Sequence, residues 1–428
     1  MKNNNKLNSL LAHNEVFFSF WCILASFGAY FSMYAFRKPF NAGTYEDIEL
    51  WGMGLKTILI ISQVIGYMFS KFIGIKVISE LKSNQRVKAA LVIISIAYIG
   101  LFLFGFAPVL LKPLCLFMNG LPLGMIWGIV FSFLEGRKVT ELISTGLAIS
   151  IILSSGFLKT IARWLINDLN VPEFWMPFGV ASLFLPLFLG FVWMLSKVPA
   201  PNLEDKANRS ERTPMTNADK LNILKKHGLE LSLLVLTYLL LVICRDFRDN
   251  FAIEIWKQLG VTDKNVYSQS EMPIGFVIVF LLMSLIAIKN NEKALIMTHL
   301  IILMGLIVLG GSTLLFSMQI INPFTWMICL GLGMYLSYMP FQCVIFERFM
   351  ATFKLVGNAG FLMYICDSSG YLGSVGILLV KEFSFKEISW VHFLSNFSYI
   401  ISIIGIVSII ASLYISHQKI KKITYEKA

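Results

Sequence analysis

Apolar residues fall in blocks that are too long for ordinary strands and too continuous for the one-sided stripe of a surface helix. The first runs over residues 16–36 as VFFSFWCILASFGAYFSMYAF, and a bilayer core takes about 20 helical residues of this kind. Further blocks of similar length follow, which predicts about twelve spanning helices. Six lie near 15–38, 52–74, 88–108, 112–134, 142–164 and 174–195, and six near 229–251, 271–289, 293–316, 322–346, 356–380 and 390–416. Between the two sets, residues 196–228 (SKVPAPNLEDKANRSERTPMTNADKLNILKKHG, ending in charged and polar side chains) break the pattern. The chain therefore reads as an all-α membrane protein: an N-terminal six-helix bundle over 1–195, a cytosolic linker over 196–228 and a C-terminal six-helix bundle over 229–428.

Composition agrees with that division. Hydrophobic residues make up 57% of the chain and charged residues 14%, against about 25% charged in soluble domains, and the mean hydropathy is +0.72. Most of the 36 Lys and Arg fall in the N-terminus, in the loops after even-numbered spans and in the C-terminus, which places both termini in the cytosol and the protein in the cell (inner) membrane. The net charge of +11 then reports topology and contact with anionic lipid, and no basic groove interleaved with stacking aromatics points to nucleic acid. The N-terminal stretch MKNNNKLNSLLAHNE and the block behind it carry no small-residue cleavage site, so the first span is expected to be retained.

The two halves share a repeat. Residues 145–158 read TGLAISIILSSGFL and residues 359–372 read AGFLMYICDSSGYL, with the glycines and the Ser-Ser-Gly-aromatic-Leu tail in register. Pseudo-symmetric halves of this kind are a transporter architecture. Spans 1 and 7 also end alike, in Arg37-Lys38 and in Arg245-Asp246 with Arg248 and Asp249 close behind. Charge at membrane depth costs about 2.5–3.5 kcal/mol per side chain on insertion scales, so it faces a cavity or marks a pathway.

Within spans, Arg37, Lys38, Lys56, Lys71, Lys159, Arg163, Arg245 and Arg248 outnumber Asp246, Asp249 and Asp367, which favours an anionic small-molecule partner. Plainer readings stand beside this one. Arg245 is placed to pair with Asp249 four residues on, Arg37 and Lys71 to snorkel to an interface, and Asp367 to neutralise a neighbouring cation rather than carry a proton. Adjacent helical residues point about 100° apart, so Arg37 is preferred to Lys38 as the inward cation.

The six cysteines lie in apolar segments without a Cys-x-x-Cys pair, and the five histidines lie mainly at span ends or in loops. Neither a metal site nor a cofactor is implied, and no constellation at one depth suggests an enzyme. Gly120, Gly124, Gly331 and Gly333 read as close helix contacts, Pro122 and Pro340 as bends, and Trp21, Trp51, Trp175, Trp193, Trp256 and Trp390 as an interfacial belt. Glu135, Arg137, Glu347 and Arg348 read as gate or loop charges after spans 4 and 10.

Six plus six spans with a long central loop resemble the major facilitator superfamily, whose loop 2–3 signature is matched at stretched spacing by Gly74, Glu80, Lys82, Arg86 and Lys88. Within it the chain resembles the organophosphate:phosphate antiporters. The shared segments are Tyr34-Ala-Phe-Arg37-Lys38-Pro-Phe40, Ser70-Lys71-Phe72-Ile73, Gly124-Met125-Ile126-Trp127, Gly370-Tyr371-Leu372-Gly373, and Arg245 with Asn250 and Phe251. The resemblance implies that Arg37 and Arg245 bind a phosphoryl group, with Tyr34, Lys38 and Lys71 as further substrate-binding residues. Planar guanidinium donors suit phosphate oxygens. It departs at Leu153, where the antiporters carry a histidine, while the repeat-related position in span 11 is Asp367. The expectation is a monomeric secondary transporter of a small organic anion, phosphorylated on this resemblance, exchanging it for phosphate or coupling it to protons. The alternatives are a proton-coupled carrier of another metabolite and a transporter-like membrane sensor.

Overall fold

A computed structural model describes residues 7, 10, 11, 14–79, 81–134, 140–199, 217–355, 359–384 and 388–425. The chain forms two compact units, Met1–Arg209 with Thr262–Gln269, and Ser210–Val261 with Ser270–Ala428.

In the first unit the helices are α1 (Glu15–Arg37), α2 (Leu55–Ser79), α3 (Arg86–Phe106), α4 (Lys112–Leu123), α5 (Ile126–Leu134), α6 (Thr140–Asn167) and α7 (Met176–Ser196). In the second they are α8 (Asn217–Asn250), α9 (Ala252–Gln258), α10 (Val266–Ile286), α11 (Asn291–Ser317), α12 (Pro323–Cys343), α13 (Ile345–Thr352), α14 (Ala359–Ser384) and α15 (Trp390–Tyr425). The opening residues of α10 are grouped with the first unit, where Lys264 bonds Asp168 at 2.5 Å and Thr160 bonds Ser268 at 3.3 Å.

Ten helical segments among the described residues are long and apolar enough to cross a membrane. The helices α6 and α14, with 28 and 26 residues, occupy the expected places of spans 5 and 11 and carry the sequence repeat. Each unit follows one plan. Its first helix packs on its last two, α1 on α6 and α7 and α8 on α14 and α15, while its third span packs on its fourth, α3 on α4 and α11 on α12.

Local chemistry sets the helix ends. Asn14, Asn290 and Asn322 cap α1, α11 and α12, their side-chain oxygens accepting from the N–H three residues on. Pro39, with no N–H to continue the ladder, stops α1, and the chain turns into a 3-10 segment over Pro39–Ala42. Beyond it, β1 (Glu49–Leu50) and β2 (Met53–Gly54) form a small hairpin whose turn residues Trp51 and Gly52 both have positive φ, 54° and 76°. Glu173 fixes this loop by accepting from the Thr44 and Tyr45 N–H groups at 3.0 and 2.9 Å. Burial, and then the Glu173 carboxylate, push the Tyr45 hydroxyl well above the usual tyrosine value.

Pro122 and Pro340 do interrupt their helices: α4 ends at Leu123 and α5 restarts at Ile126, while α12 ends at Cys343 and α13 restarts at Ile345. The glycines read as close contacts are such. A methyl at Gly120 would lie 2.4 Å from the Gln63 carbonyl oxygen, and one at Gly333 2.6 Å from that of Gly305.

Two expectations need correction. Trp256 is 1% exposed and belongs to the interior rather than an interfacial belt, and His299 is 0% exposed in α11, bonded to the Leu295 carbonyl and to Ser412. Helix α8 also starts at Asn217, inside the stretch 196–228 read as linker. The polarity of residues 217–228 concealed helical periodicity, with Ile223, His227 and Glu230 forming one buried strip.

Gly120→Ala forces the α2 and α4 backbones apart and should cost about 1–3 kcal/mol. A clear drop in the unfolding temperature of the purified protein in detergent is expected. Gly190→Ala, where nothing lies within 4 Å of the added methyl, should leave it unchanged.

Candidate functional site

The last four carbonyls of a helix have no partner within it. At the end of α1 two of them are taken by buried amides of other helices. The Asn119 amide donates to the Phe36 carbonyl at 3.0 Å and Gln63 to the Arg37 carbonyl at 2.9 Å, with Gln63 also donating to Asn119 at 2.8 Å. This fixes the backbone of α1 where Arg37 leaves it, and the cation sits at the negative end of the helix dipole.

The Arg37 guanidinium lies over the Tyr67 ring, 3.7 Å from its centroid, with Tyr34 at 6.0 Å. Lys71, one turn beyond Tyr67 on α2, reaches 5.5 Å from the same ring and 6.0 Å from that of Trp127. The structure thus gathers Tyr34, Arg37 and Lys71 around Tyr67. Arg37 and Lys38 are 7% and 8% exposed. Arg37 is therefore not turned out to a lipid interface, and both members of the pair are buried although they point apart.

Across the first unit, five Lys and Arg are buried (Arg37, Lys38, Lys56, Lys112 and Lys159), and no Asp or Glu is buried among its described residues. Each has a local support where its surroundings are known. Lys112 donates to the Phe104 carbonyl at 2.7 Å and faces the Phe174 ring at 3.8 Å, and Lys159 donates to Ser155 at 2.9 Å. Arg163, nearer solvent, donates to the Ala42 carbonyl at 3.3 Å.

The second unit handles charge differently. Arg245 does not pair with Asp249 one turn on. It grips Asp246 through Nε at 3.0 Å and Nη2 at 2.8 Å, and Nη1 donates to the Tyr338 hydroxyl. The Asp246 carboxylate also accepts from Ser374 at 2.8 Å. From Tyr338 the network continues: Gln342 donates to the Tyr338 and Tyr238 hydroxyls at 2.8 and 2.6 Å, and Tyr238 donates to Asp367 at 2.6 Å. Helices α8, α12 and α14 thereby hold Arg245 and Asp367 at the two ends of one hydrogen-bonded chain. Of the five guanidinium N–H groups of Arg245, one on each Nη is not used in these bonds.

Arg248 is a separate and structural element. Its Nη1 meets Glu271 at 2.5 Å and its Nη2 donates to the Met327 carbonyl at 3.1 Å. Gly331 makes room, since a methyl there would lie 2.7 Å from Nη2. The charge excess read from the sequence omitted Glu271, which stands at the predicted edge of span 8 but inside α10. Tyr67, Gln63, Asn119, Tyr338, Gln342 and Ser374 were also missed. Their signal is a polar side chain recurring one turn apart on an apolar helix, as at Tyr338 and Gln342.

Of the loop charges, Arg348 donates to Asn291 at 2.7 Å and Glu347 lies in the first turn of α13. Glu135 and Arg137 lie outside the described residues. Among the described residues no group of three His, Cys, Asp or Glu is placed to hold a metal ion.

This helical plan is the major facilitator fold, and solved structures similar to the chain have it. The POT family transporter PepTSo matches with a TM-score of 0.59 at 14% identity, covering 94% of this chain and 98% of that one. The proton:xylose symporter XylE bound to 6-bromo-6-deoxy-D-glucose matches with a TM-score of 0.58 at 16% identity, covering 92% and 94%. A D-xylose-proton symporter matches at 0.57 and 15%, covering 92% and 97%. No curated protein matches the sequence. The profile described as "Family of unknown function (DUF5690)" matches residues 39–419, and the chain belongs to that family. The matched stretch takes in Lys71, Arg245 and Asp367, and begins just after Tyr34, Arg37 and Lys38.

Removing one partner of a buried ion pair costs about 3–5 kcal/mol, whereas replacing both by apolar groups is far milder. Glu271→Gln should therefore lower the unfolding temperature strongly, and Arg248→Met with Glu271→Leu should recover most of the loss. A double variant no more stable than Glu271→Gln would show that the pair is not the structural unit described.

Proposed function

We propose that the protein is a secondary active transporter in the cell membrane, with cytosolic termini, that moves a small organic anion by alternating access. The observation that carries this reading is the cluster of the first unit in which Arg37, Lys71 and Tyr34 gather about the Tyr67 ring. Arg37 is the principal anion contact, held by Gln63 at its carbonyl and by Tyr67 beneath its guanidinium, with Tyr34 and Lys71 around it and Lys38 a further candidate beside it in the chain. A guanidinium on an aromatic face keeps its charge and its edge donors, which suits phosphate or carboxylate oxygens. A phosphoryl group is the favoured anion, on the likeness of the Tyr34–Phe40 and Ser70–Ile73 segments to those of the organophosphate:phosphate antiporters. Arg245 has a lesser share in binding, because Asp246 already neutralises it and an incoming anion uses only its two remaining N–H groups.

Counterflow in proteoliposomes tests this. Loaded with inorganic phosphate, they should take up labelled phosphate or a small phosphate ester, and Arg37→Lys should lower the exchange about 10–100-fold, the loss expected for a charge-assisted pair of hydrogen bonds. No exchange with phosphate, phosphate esters or carboxylates would overturn the anion reading.

Proton coupling is the second reading, favoured by Asp367 at the end of the Tyr238–Gln342–Tyr338–Arg245 chain. Two of the similar folds are described as proton symporters for xylose. A carboxylate that loses its charge on protonation releases Tyr238 as a donor, and the change passes along shared hydroxyls to Arg245. Asp367→Asn should abolish uptake driven by a pH gradient while leaving exchange at equal pH intact. An unaltered response to the gradient would remove Asp367 from the coupling.

A further inference from the structure

Helices α8 and α15 are longer than a membrane needs. With 34 and 36 residues they extend about 51 and 54 Å at 1.5 Å per residue, against a hydrocarbon core of about 30 Å. Their surplus turns lie together, at the start of α8 and the end of α15. Lys419 of α15 donates to the Lys226 carbonyl at 2.5 Å and to Glu230 at 2.6 Å, and Ser412 donates to the Glu230 carbonyl at 3.4 Å. His227 completes the joint, 2.7 Å from Glu230, with its ring 4.6 Å from Phe353 and 5.4 Å from Phe349 at the end of α13.

The buried strip of this end, Ile223, His227 and Glu230 on α8 and Ser412, Ser416 and Ile420 on α15, is thus occupied by the protein itself. The opposite strip is not. Leu221, Leu224 and Leu229 are 52%, 42% and 65% exposed, and Tyr414 is 64% exposed. Lys225, Lys226, Lys421 and Lys422 are exposed beside them. Among the described side chains of 221–230 and 412–422, Glu230 is the one acid, and it already serves Lys419 and His227. Apolar side chains three and eight residues along one helix face, bordered by four outward lysines next to spanning helices, match a surface of anionic headgroups in both polarity and charge.

We propose that the surplus turns of α8 and α15 form a docking surface for anionic phospholipid. Lys225, Lys226, Lys421 and Lys422 contact headgroup phosphates, and Leu221, Leu224 and Tyr414 rest in the interface. The Lys419–Glu230–His227 joint is the rivet that holds the two helix ends in one rigid platform. The surface shares no residue with the surroundings of Arg37 or of Arg245, so its test is independent of any transport activity.

Native mass spectrometry of the purified full chain with added phosphatidylglycerol or phosphatidylcholine measures the preference directly. The unaltered protein should bind phosphatidylglycerol about tenfold more tightly. The variant with Lys225, Lys226, Lys421 and Lys422 all changed to Gln should lose that preference, while Lys289→Gln with Lys293→Gln should keep it. A quadruple variant that retains the preference overturns the proposal. Hydrogen exchange on the unaltered protein in nanodiscs gives a second readout that needs no variant. Exchange over 221–229 and 414–422 should slow when phosphatidylglycerol is added to phosphatidylcholine. Equal slowing by inorganic phosphate alone would assign the surface to free anions, and no slowing with either would overturn it.

Discussion

The cost of holding charge away from water shapes this molecule more than any single contact. An ionised side chain in apolar surroundings needs a counter-charge, a ring of polar donors or an aromatic face to remain charged. The two units meet that requirement in different ways. The second places acids beside its cations, Asp246 against Arg245 and Glu271 against Arg248. In the first, the Phe104 carbonyl meets Lys112, the Ser155 hydroxyl meets Lys159 and the Tyr67 ring meets Arg37. The gathering of Arg37, Lys71 and Tyr34 about one tyrosine ring is the physical basis for assigning anion contact to the first unit.

Much of the architecture was legible in the sequence because membrane helices advertise themselves by length and uniform hydrophobicity. Twelve segments were expected and twelve places are filled, with α4 and α5 sharing one. The interruptions at Pro122 and Pro340 follow from proline's missing donor, and the close contacts at Gly120 and Gly333 from the absence of a side chain. Boundaries set by amphipathic turns were harder. Residues 217–228 read as linker because their polar side chains outnumber their apolar ones, yet the buried face of Ile223 and His227 is enough to dock them.

The neighbourhoods of the charges were less legible than the charges themselves. Arg37, Lys71, Arg245 and Asp367 stand out in a row of apolar letters, but nothing in that row tells which ring or amide meets each one. Asp246 was adjacent to Arg245 and was passed over in favour of Asp249, because helical spacing argues for partners one turn apart. A long guanidinium can fold back on its neighbour, and here the Tyr338 hydroxyl across the helix interface rewards that conformation. Glu271, at the first residue of the expected span 8, is absent from the charge count. Its partner Arg248 lies in a different helix, and pairings between helices leave no trace in the spacing of either one.

The fixed ends of α1 make it a ruler. Asn14 starts it, Pro39 stops it, and the helix between, Glu15–Arg37, is 23 residues long. Each added or deleted residue would swing everything downstream by about 100° about the axis and shift it by 1.5 Å. The Arg37 guanidinium would then leave the Tyr67 ring, and the carbonyls now met by Asn119 and Gln63 would turn away with it. Substitutions along the outward face of α1 are open to drift, but a change in its length is not, so this segment can vary in spelling while staying locked in reading frame.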